Sequence, residues 1–207
     1  MNKVSVSTLP MDLDHIDIDL FKVSTADYLH VDIMDGKFVP ERTMWADELR
    51  LFKTALVKDV HLMIAEPEKH VEDFIDAGGQ IISFHFEATK DPEKLIKKIK
   101  AKGAKAGIAI NPSTTVKKIK DLVPLLDHVI IMSVIPGKGG QKFMKEVLGK
   151  AKELRDIKEE IDIEIDGGVN DKTAEMCVEA GVNVLCSGSY IFSYDDPKIA
   201  IDILRNS

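Results

Sequence analysis

Short apolar segments alternate with charged segments along the whole chain. The apolar segments have the length of strands, and eight of them occur, at residues 4–8, 28–34, 59–64, 81–86, 106–111, 129–134, 161–166 and 183–187. Charged segments with helical spacing lie between them, such as 67–77, 91–102 and 141–157. A strand followed by a helix, eight times over, predicts an α/β protein with a closed parallel (β/α)8 barrel, the TIM barrel, as a single domain over residues 1–207.

Helix boundary residues support this pattern. Pro67 and Pro92 suit the first turn of a helix, and Asp91 can cap one. Gly78 and Gly103 follow two of the helical segments, where a left-handed residue commonly ends a helix.

Composition limits the classes of function. The chain has 207 residues, of which 44% are hydrophobic and 30% charged, and this is ordinary for a globular protein. Its net charge of -7 gives no basic surface, so we expect neither nucleic acid nor an anionic membrane as a partner. No apolar run approaches the roughly 20 residues of a membrane span, and the first residues lack a signal-peptide layout, so we expect a cytoplasmic protein. Cys177 and Cys186 show no metal-binding spacing and are interpreted as reduced packing residues.

Polar residues interrupt the predicted strands near their C-terminal ends, where barrel enzymes place their working groups. His30 and Asp32 alternate along one strand and therefore share a face. His61 and Asp166 occupy similar positions on two further strands. Two imidazoles and two carboxylates suit one divalent metal ion, which could be Zn2+, Fe2+, Mn2+ or Co2+. Such a metal could stabilise the oxyanion formed when a proton is removed beside a carbonyl, so the set suggests enolisation chemistry.

Glycine-rich segments follow the last three predicted strands. They are 136–141, with Gly137, Gly139 and Gly140, then Gly167–Gly168, and then Ser187–Gly188–Ser189. Glycine lets backbone N–H groups approach an anion, and the loops after strands seven and eight are the usual phosphate site of this fold. Met34, Met63 and Met132 fall at the same barrel end, either as core residues or as an apolar cover for a substrate.

The segment from His30 to Pro40 closely resembles the signature segment of the ribulose-phosphate 3-epimerases. Further segments resemble successive motifs of the same family in the same order, namely Asp59–Ile64, Phe84–Glu87, Asn111–Thr114, Met132–Val134 with Pro136–Phe143, and Asp166–Val169. Together these segments span nearly the whole chain and are very specific.

This resemblance implies a ligand set, a substrate site and a reaction. His30, Asp32, His61 and Asp166 would hold the divalent metal, and Asp32 and Asp166 would be the two acid/base groups on opposite faces of the substrate. The reaction would invert C3 of D-ribulose 5-phosphate to give D-xylulose 5-phosphate through an enediolate, and a homo-oligomer is expected because relatives commonly form one. The phosphorylated ketose would contact Ser7, Met34, Met63, Met132, Gly139, Gly140, Gly167, Gly168, Gly188 and Ser189.

Departures from the family pattern leave alternatives open. Val6 and Pro10 interrupt the usual N-terminal pattern, Lys138 replaces a typical phenylalanine, and Glu41–Arg42 replaces a typical Asn-Leu. The run Met11–Asp12–Leu13 looks like the start of the D-allulose-6-phosphate 3-epimerases, which apply the same chemistry to a sugar one carbon longer.

A second class of function is a phosphosugar-binding barrel, or a related decarboxylase or aldolase, that does not epimerise its ligand. A decarboxylase of the orotidine-phosphate type would show an Asp-x-Lys-x-x-Asp cluster. Here the matching run is Asp32-Ile33-Met34-Asp35, with no lysine.

Overall fold

A computed structural model describes residues 1–207 and shows eight parallel strands closed into a barrel. Each strand pairs with the next along the chain, and β8 closes the sheet by pairing with β1. The predicted fold class is therefore confirmed, and the strand ends differ from the predicted ones by no more than two residues. The strands are β1 Lys3–Ser7, β2 Tyr28–Met34, β3 Val57–Met63, β4 Ile81–His85, β5 Lys105–Ile110, β6 His128–Met132, β7 Asp162–Asp166 and β8 Val184–Ser187.

Seven α-helices cover the barrel, and several are only one or two turns long. They are α1 Ile16–Lys22, α2 Ala46–Leu49, α3 Val71–Asp76, α4 Pro92–Ala101, α5 Gly149–Ile157, α6 Asp171–Glu179 and α7 Pro197–Arg205. The longest, α4, has ten residues, and none has the length and apolar character required to cross a membrane.

The prediction that an α-helix follows every strand is wrong in one place. Between β5 and β6 the chain forms two short 3-10 helices, Val116–Lys118 and Val123–Leu125, where an α-helix was expected. Pro124 lies in the second of these, and its missing N–H disfavours a longer helix across the segment.

Two predicted helices are also shorter than expected. Residues 141–144 precede a 3-10 turn, Lys145–Val147, and are not helical. The N–H of Met144 instead donates to the carbonyl of Ser133 at 2.9 Å, which ties this segment to the end of β6. The segment 67–77 is divided into a 3-10 turn, Pro67–Lys69, and the helix α3.

The predicted helix boundaries near α4 are confirmed. The Asp91 carboxylate accepts a hydrogen bond from the Lys94 N–H at 3.1 Å, and Pro92 is the first residue of the helix. Gly103 follows α4 with φ of +85°, in the left-handed region that favours glycine.

The inside of the barrel is unusually polar. Outward-facing strand residues such as Val4 and Val6 pack under the helices in the main hydrophobic core. The inward-facing residues of the middle layer carry hydroxyl, imidazole and carboxyl groups and are fully buried: Ser5, His30, Asp59, Ser83, His128 and Glu164. Below them an apolar group of four residues, Tyr28, Val57, Ile81 and Val184, closes the N-terminal end of the barrel. The polar groups therefore form an enclosed layer beneath the C-terminal end.

Gly107 makes room for this layer on β5. A Cβ atom at Gly107 would lie 2.2 Å from the Ser83 hydroxyl and 3.3 Å from Cβ of His128. Gly107→Ala should therefore lower the free energy of unfolding by about 1–3 kcal/mol through overpacking. Gly149→Ala, at the start of α5 where a Cβ meets nothing within 4 Å, is the matched control and should be neutral or stabilising. Urea unfolding of both variants measures the difference, and equal stability would contradict the close packing of the barrel centre.

Candidate active site

The register between β2 and β3 brings the first three predicted ligands together. Asp32 pairs with His61 across the two strands, and His30 pairs with Asp59 one layer lower. Asp166 is the last residue of β7, where it pairs with Met132 of β6. All four predicted ligands thus reach the C-terminal half of the barrel interior.

The four side chains offer donor atoms that lie within 4.8 Å of one another. Asp32 Oδ1 is 3.3 Å from His30 Nε2 and 3.2 Å from His61 Nδ1, and the two nitrogen atoms are 3.3 Å apart. Asp166 Oδ2 is 3.9 Å from His30 Nε2 and 3.7 Å from His61 Nδ1. Ligands about 2.1 Å from a tetrahedral ion lie roughly 3.4 Å apart, so this donor set fits one small divalent cation.

Two imidazole nitrogens that face each other at this distance need something positive between them. If both carried lone pairs they would repel, and a proton or a cation relieves that repulsion. His30 Nδ1, on the other side of its ring, lies 3.3 Å from Asp59 Oδ2 and 3.1 Å from Glu164 Oε1. These carboxylates favour a proton on Nδ1, which leaves Nε2 free to act as a ligand.

The surroundings of His30 favour positive charge. Burial works against a charged ring, yet the ionisable groups of Cys186, Asp32 and Glu164 together raise the pKa of His30 well above its ordinary value. The cluster therefore favours a positive charge, either a proton or a cation, and a divalent cation that binds there competes with protons.

Asp32 and Asp166 have opposite electrostatic environments. Burial would raise the pKa of Asp32, but the charge of His30 and its hydrogen bond to Asp32 prevail and lower it well below its ordinary value. Burial raises the pKa of Asp166 to about 6; the nearby imidazoles lower it only in part, and the charge of Asp32 adds to the increase. Ser7 donates a hydrogen bond to Asp32 Oδ2 at 2.9 Å, which further favours the ionised form. Asp32 is thus the stronger acid, and Asp166 is the group that more readily holds a proton.

A cavity of about 490 Å³ opens above the two carboxylates. Asp32 and Asp166 line it, whereas His30 and His61 lie beneath its floor. Every predicted substrate contact also lines the cavity: Ser7, Met34, Met63, Met132, Gly139, Gly140, Gly167, Gly168, Gly188 and Ser189. The methionines lie on the β2, β3 and β6 side, and the glycine-rich loops follow β6, β7 and β8.

Glycine is required where these loops meet. Gly168 has φ of +67°, and a Cβ there would lie 2.9 Å from the carbonyl oxygen of Gln141 and 3.0 Å from the backbone nitrogen of Phe143. The loop after β7 therefore packs directly on the loop after β6, and this contact holds two of the candidate phosphate loops together.

Sequence reasoning missed the polar layer below the predicted ligands. Asp59 and Glu164 stand two residues before His61 and Asp166, so the alternation of strand faces was a signal that could have found them. His128 gave no such signal because it lies just before the predicted sixth strand. Its Nε2 is 2.7 Å from Glu164 Oε2, and this contact holds the Glu164 carboxylate within the layer.

Charged residues at the cavity mouth were missed as well. Four lysines line the cavity: Lys138, Lys142, Lys145 and Lys172. Lys138 Nζ lies 3.7 Å from Glu41 Oε1, so two of the departures from the family pattern form an ion pair with each other. The lysines give this end of an otherwise acidic protein a local positive charge.

The fold and site define a class, a (β/α)8-barrel enzyme whose candidate metal centre lies under a cavity with positively charged walls. A sequence model of the Ribulose-phosphate 3 epimerase family matches residues 3–192. The chain belongs to the ribulose-phosphate 3-epimerase family, as the sequence motifs predicted.

Relatives named ribulose-phosphate 3-epimerase match it over almost its full length. The chain is 41% identical to the one from Bacillus subtilis, with 100% of each chain covered. It is 40% identical to the one from Mycobacterium bovis, with 98% of this chain and 91% of the relative covered.

Solved structures of other enzymes share the fold. One is 3-keto-L-gulonate-6-phosphate decarboxylase from Vibrio cholerae, with a TM-score of 0.74 and 13% identity over 100% of this chain and 97% of that one. Another is 3-hexulose-6-phosphate synthase from Salmonella typhimurium, with a TM-score of 0.71 and 15% identity over 99% and 97% of the two chains. At this level of identity the likeness extends to the barrel alone.

Removal of either imidazole should weaken metal binding. His30→Ala and His61→Ala each leave three donors and an opening for water, so the bound metal per chain should fall well below that of the unaltered protein. His70→Ala, which alters a half-exposed ring before α3 and outside the barrel interior, is the control and should keep its metal. Elemental analysis after dialysis checks this, and full metal content in the His30 and His61 variants would contradict the ligand set.

Proposed function

We propose that this protein is a ribulose-phosphate 3-epimerase that interconverts D-ribulose 5-phosphate and D-xylulose 5-phosphate with one bound divalent metal ion. One observation carries the proposal: Asp32 and Asp166 border the same cavity, and their pKa values are shifted in opposite directions. An epimerase that works with two bases needs one carboxylate to take a proton while the other can give one. The family and the names of the relatives support the same reaction.

Proton transfer is the task of the two aspartates. With the substrate between them, the ionised Asp32 removes the proton from C3 on one face, and the protonated Asp166 delivers a proton to the opposite face. In the reverse direction the roles exchange. Both groups are aspartates that differ mainly in their surroundings. After one turnover Asp32 carries the proton and Asp166 is ionised, so Asp166 can then act as the base and Asp32 as the acid.

The metal site supports this step from below. His30, His61, Asp32 and Asp166 would hold the ion, which would supply positive charge to the oxyanion of the enediolate. Ser7 holds one oxygen of Asp32 by its 2.9 Å hydrogen bond and so keeps that carboxylate oriented toward the cavity. The enclosed layer of Asp59, Glu164 and His128 holds the His30 ring from the opposite side.

The cavity has an apolar side, formed by methionines, and a polar side, formed by the glycine-rich loops, and these would bind different parts of the substrate. Met34, Met63 and Met132 would cover the planar enediolate with apolar, polarisable side chains and exclude water. The loops with Gly139–Gly140, Gly167–Gly168 and Gly188–Ser189 would offer backbone N–H groups to the phosphate. The lysines at the mouth favour the approach of a dianionic ligand.

An assay with two substrates tests the proposed function. The purified protein, with its metal content measured, is assayed against D-ribulose 5-phosphate and D-allulose 6-phosphate side by side. We expect a higher kcat/KM for the pentulose phosphate. A preference for the hexulose phosphate would support the alternative epimerase, and binding without turnover of either sugar would support a non-epimerising phosphosugar-binding barrel.

Loss of either aspartate should remove most of the activity. Asp32→Asn and Asp166→Asn each delete a proton carrier and weaken a metal ligand, so kcat should fall by at least about 100-fold in both. Asp202→Asn, on the exposed side of α7, serves as the control and should leave kcat unchanged. If either site variant kept near-normal turnover at full metal content, the two-base assignment would be wrong.

A further inference from the structure

A chain of hydrogen-bonding groups extends from His61 away from the other candidate ligands. His61 Nε2 lies 2.9 Å from His85 Nε2, the two ring centroids are 5.0 Å apart, and the ring planes are inclined by 25°. His85 Nδ1 lies 3.3 Å from Glu87 Oε2. Both rings are fully buried; His61 lies two residues before the end of β3, and His85 is the last residue of β4.

The far end of this chain is fixed by the protein backbone. Glu87 Oε1 accepts hydrogen bonds from the Asn111 N–H at 3.1 Å and from the Thr114 hydroxyl. Burial would raise the pKa of Glu87, but the bonds from His85, Thr114 and Asn111 lower it to about 2. Glu87 is therefore an ionised acceptor with one oxygen already occupied, and its other oxygen faces His85.

The direction of the hydrogen bonds follows from this ionised acceptor. A carboxylate without a proton can only accept, so His85 donates from Nδ1. Only one of the two facing Nε2 atoms can donate; a His61 that offers its Nδ1 to a cation donates from Nε2, and His85 then accepts there. This leaves the lone pair of His61 on Nδ1, the atom that lies 3.2 Å from Asp32 and 3.3 Å from His30 Nε2.

We propose that His85 and Glu87 are positioning residues that hold His61 in the tautomer with a free Nδ1, and thereby prepare the metal site. The proposal rests on the proposed metal centre and extends it to two residues that neither line the cavity nor belong to the ligand set. Asp59 and Glu164 act in the same way on His30: they flank its Nδ1, favour a proton there and leave Nε2 free. The two imidazoles thus present different nitrogens, Nε2 of His30 and Nδ1 of His61, to a single point.

Glu87→Gln tests the direction of the hydrogen bonds with almost no change of shape. The donors from Asn111 and Thr114 fix the amide oxygen in the place of Oε1, so the amide NH2 group takes the place of Oε2 and faces His85 Nδ1. Two donors cannot face each other. His85 must then carry its proton on Nε2 and His61 on Nδ1, where it blocks the metal. We expect Zn2+ binding to weaken by about 10- to 100-fold.

Two substitutions of His85 separate hydrogen bonding from packing. His85 also contacts the Phe38 ring, at a centroid distance of 4.8 Å. A purely structural role of His85 must therefore be distinguished from its role in the hydrogen-bonded relay formed by Glu87, His85 and His61. His85→Gln keeps an acceptor for His61 and a donor for Glu87, and we expect Zn2+ affinity within a few-fold of the unaltered protein. His85→Leu fills similar space without polar atoms, and we expect the same 10- to 100-fold loss as for Glu87→Gln. A packing role would instead make Leu at least as good as Gln.

The measurement is Zn2+ affinity by competition with a chromophoric chelator, together with long-range ¹H–¹⁵N NMR of the histidine rings in the zinc-loaded protein. The unaltered protein should show His61 protonated on Nε2 and bound through Nδ1. Glu72→Gln is the matched control, because Glu72 is also a carboxylate with two bonded partners, Lys98 and Lys102, but lies on the outer surface. It should bind Zn2+ normally.

The outcomes distinguish the relay from the metal centre itself. If the unaltered protein binds Zn2+ and His61→Ala does not, the centre stands, and the variants of Glu87 and His85 test the relay alone. Normal affinity in Glu87→Gln, equal affinity in His85→Gln and His85→Leu, or zinc on His61 Nε2 would each overturn the relay. If Glu87→Gln fails to fold by circular dichroism, the comparison of the two His85 variants still decides the question.

Discussion

The in-register pairing of β2 with β3 is the constraint on which the candidate site depends. It places Asp32 beside His61 and, one layer lower, His30 beside Asp59. The upper pair consists of two candidate ligands, and the lower pair consists of a third candidate ligand, His30, and the carboxylate of Asp59 that contacts its ring. A shift of the register by one residue would turn all inward-facing side chains of one strand to the outer face of the sheet, which the helices cover. Closure of the barrel then brings Asp166 of β7 within reach of the same point. Backbone geometry alone thus assembles donors from three strands.

This arrangement buries several carboxyl groups, whose negative charges need positively charged or hydrogen-bonding partners. Asp32, Asp59 and Glu164 are fully or almost fully buried, and a buried charge without a partner is strongly unfavourable. His30 lies against all three, and His128 lies against Glu164. Burial and the charge of Glu164 raise the pKa of Asp59 to about 7, so this carboxyl readily takes a proton. A divalent cation above His30 suits such surroundings, since it replaces a proton with a stronger positive charge.

The sequence was sufficient to predict the barrel, and it identified polar strand residues that the fold brings together at one end of the barrel. Eight apolar segments and the alternation of His30 with Asp32 identify strands whose polar ends must converge, and the motifs identify the family. It was not sufficient where a structure depends on contacts between distant segments. The 3-10 turns around Pro124 replace a helix that periodicity favours, and the non-helical segment before Met144 is set by its hydrogen bond to Ser133. The contact of His61 with His85, and of Lys138 with Glu41, joins residues whose proximity no local pattern encodes.

The central claim is that Asp32 and Asp166 exchange the C3 proton of a ketose phosphate with solvent from opposite faces. The most direct test is NMR of D-xylulose 5-phosphate formed in D2O from protiated D-ribulose 5-phosphate after a single turnover. The two-base account predicts deuterium at C3 of the product, because the proton removed by one carboxylate is not the one delivered by the other. Product that keeps protium at C3 would contradict it.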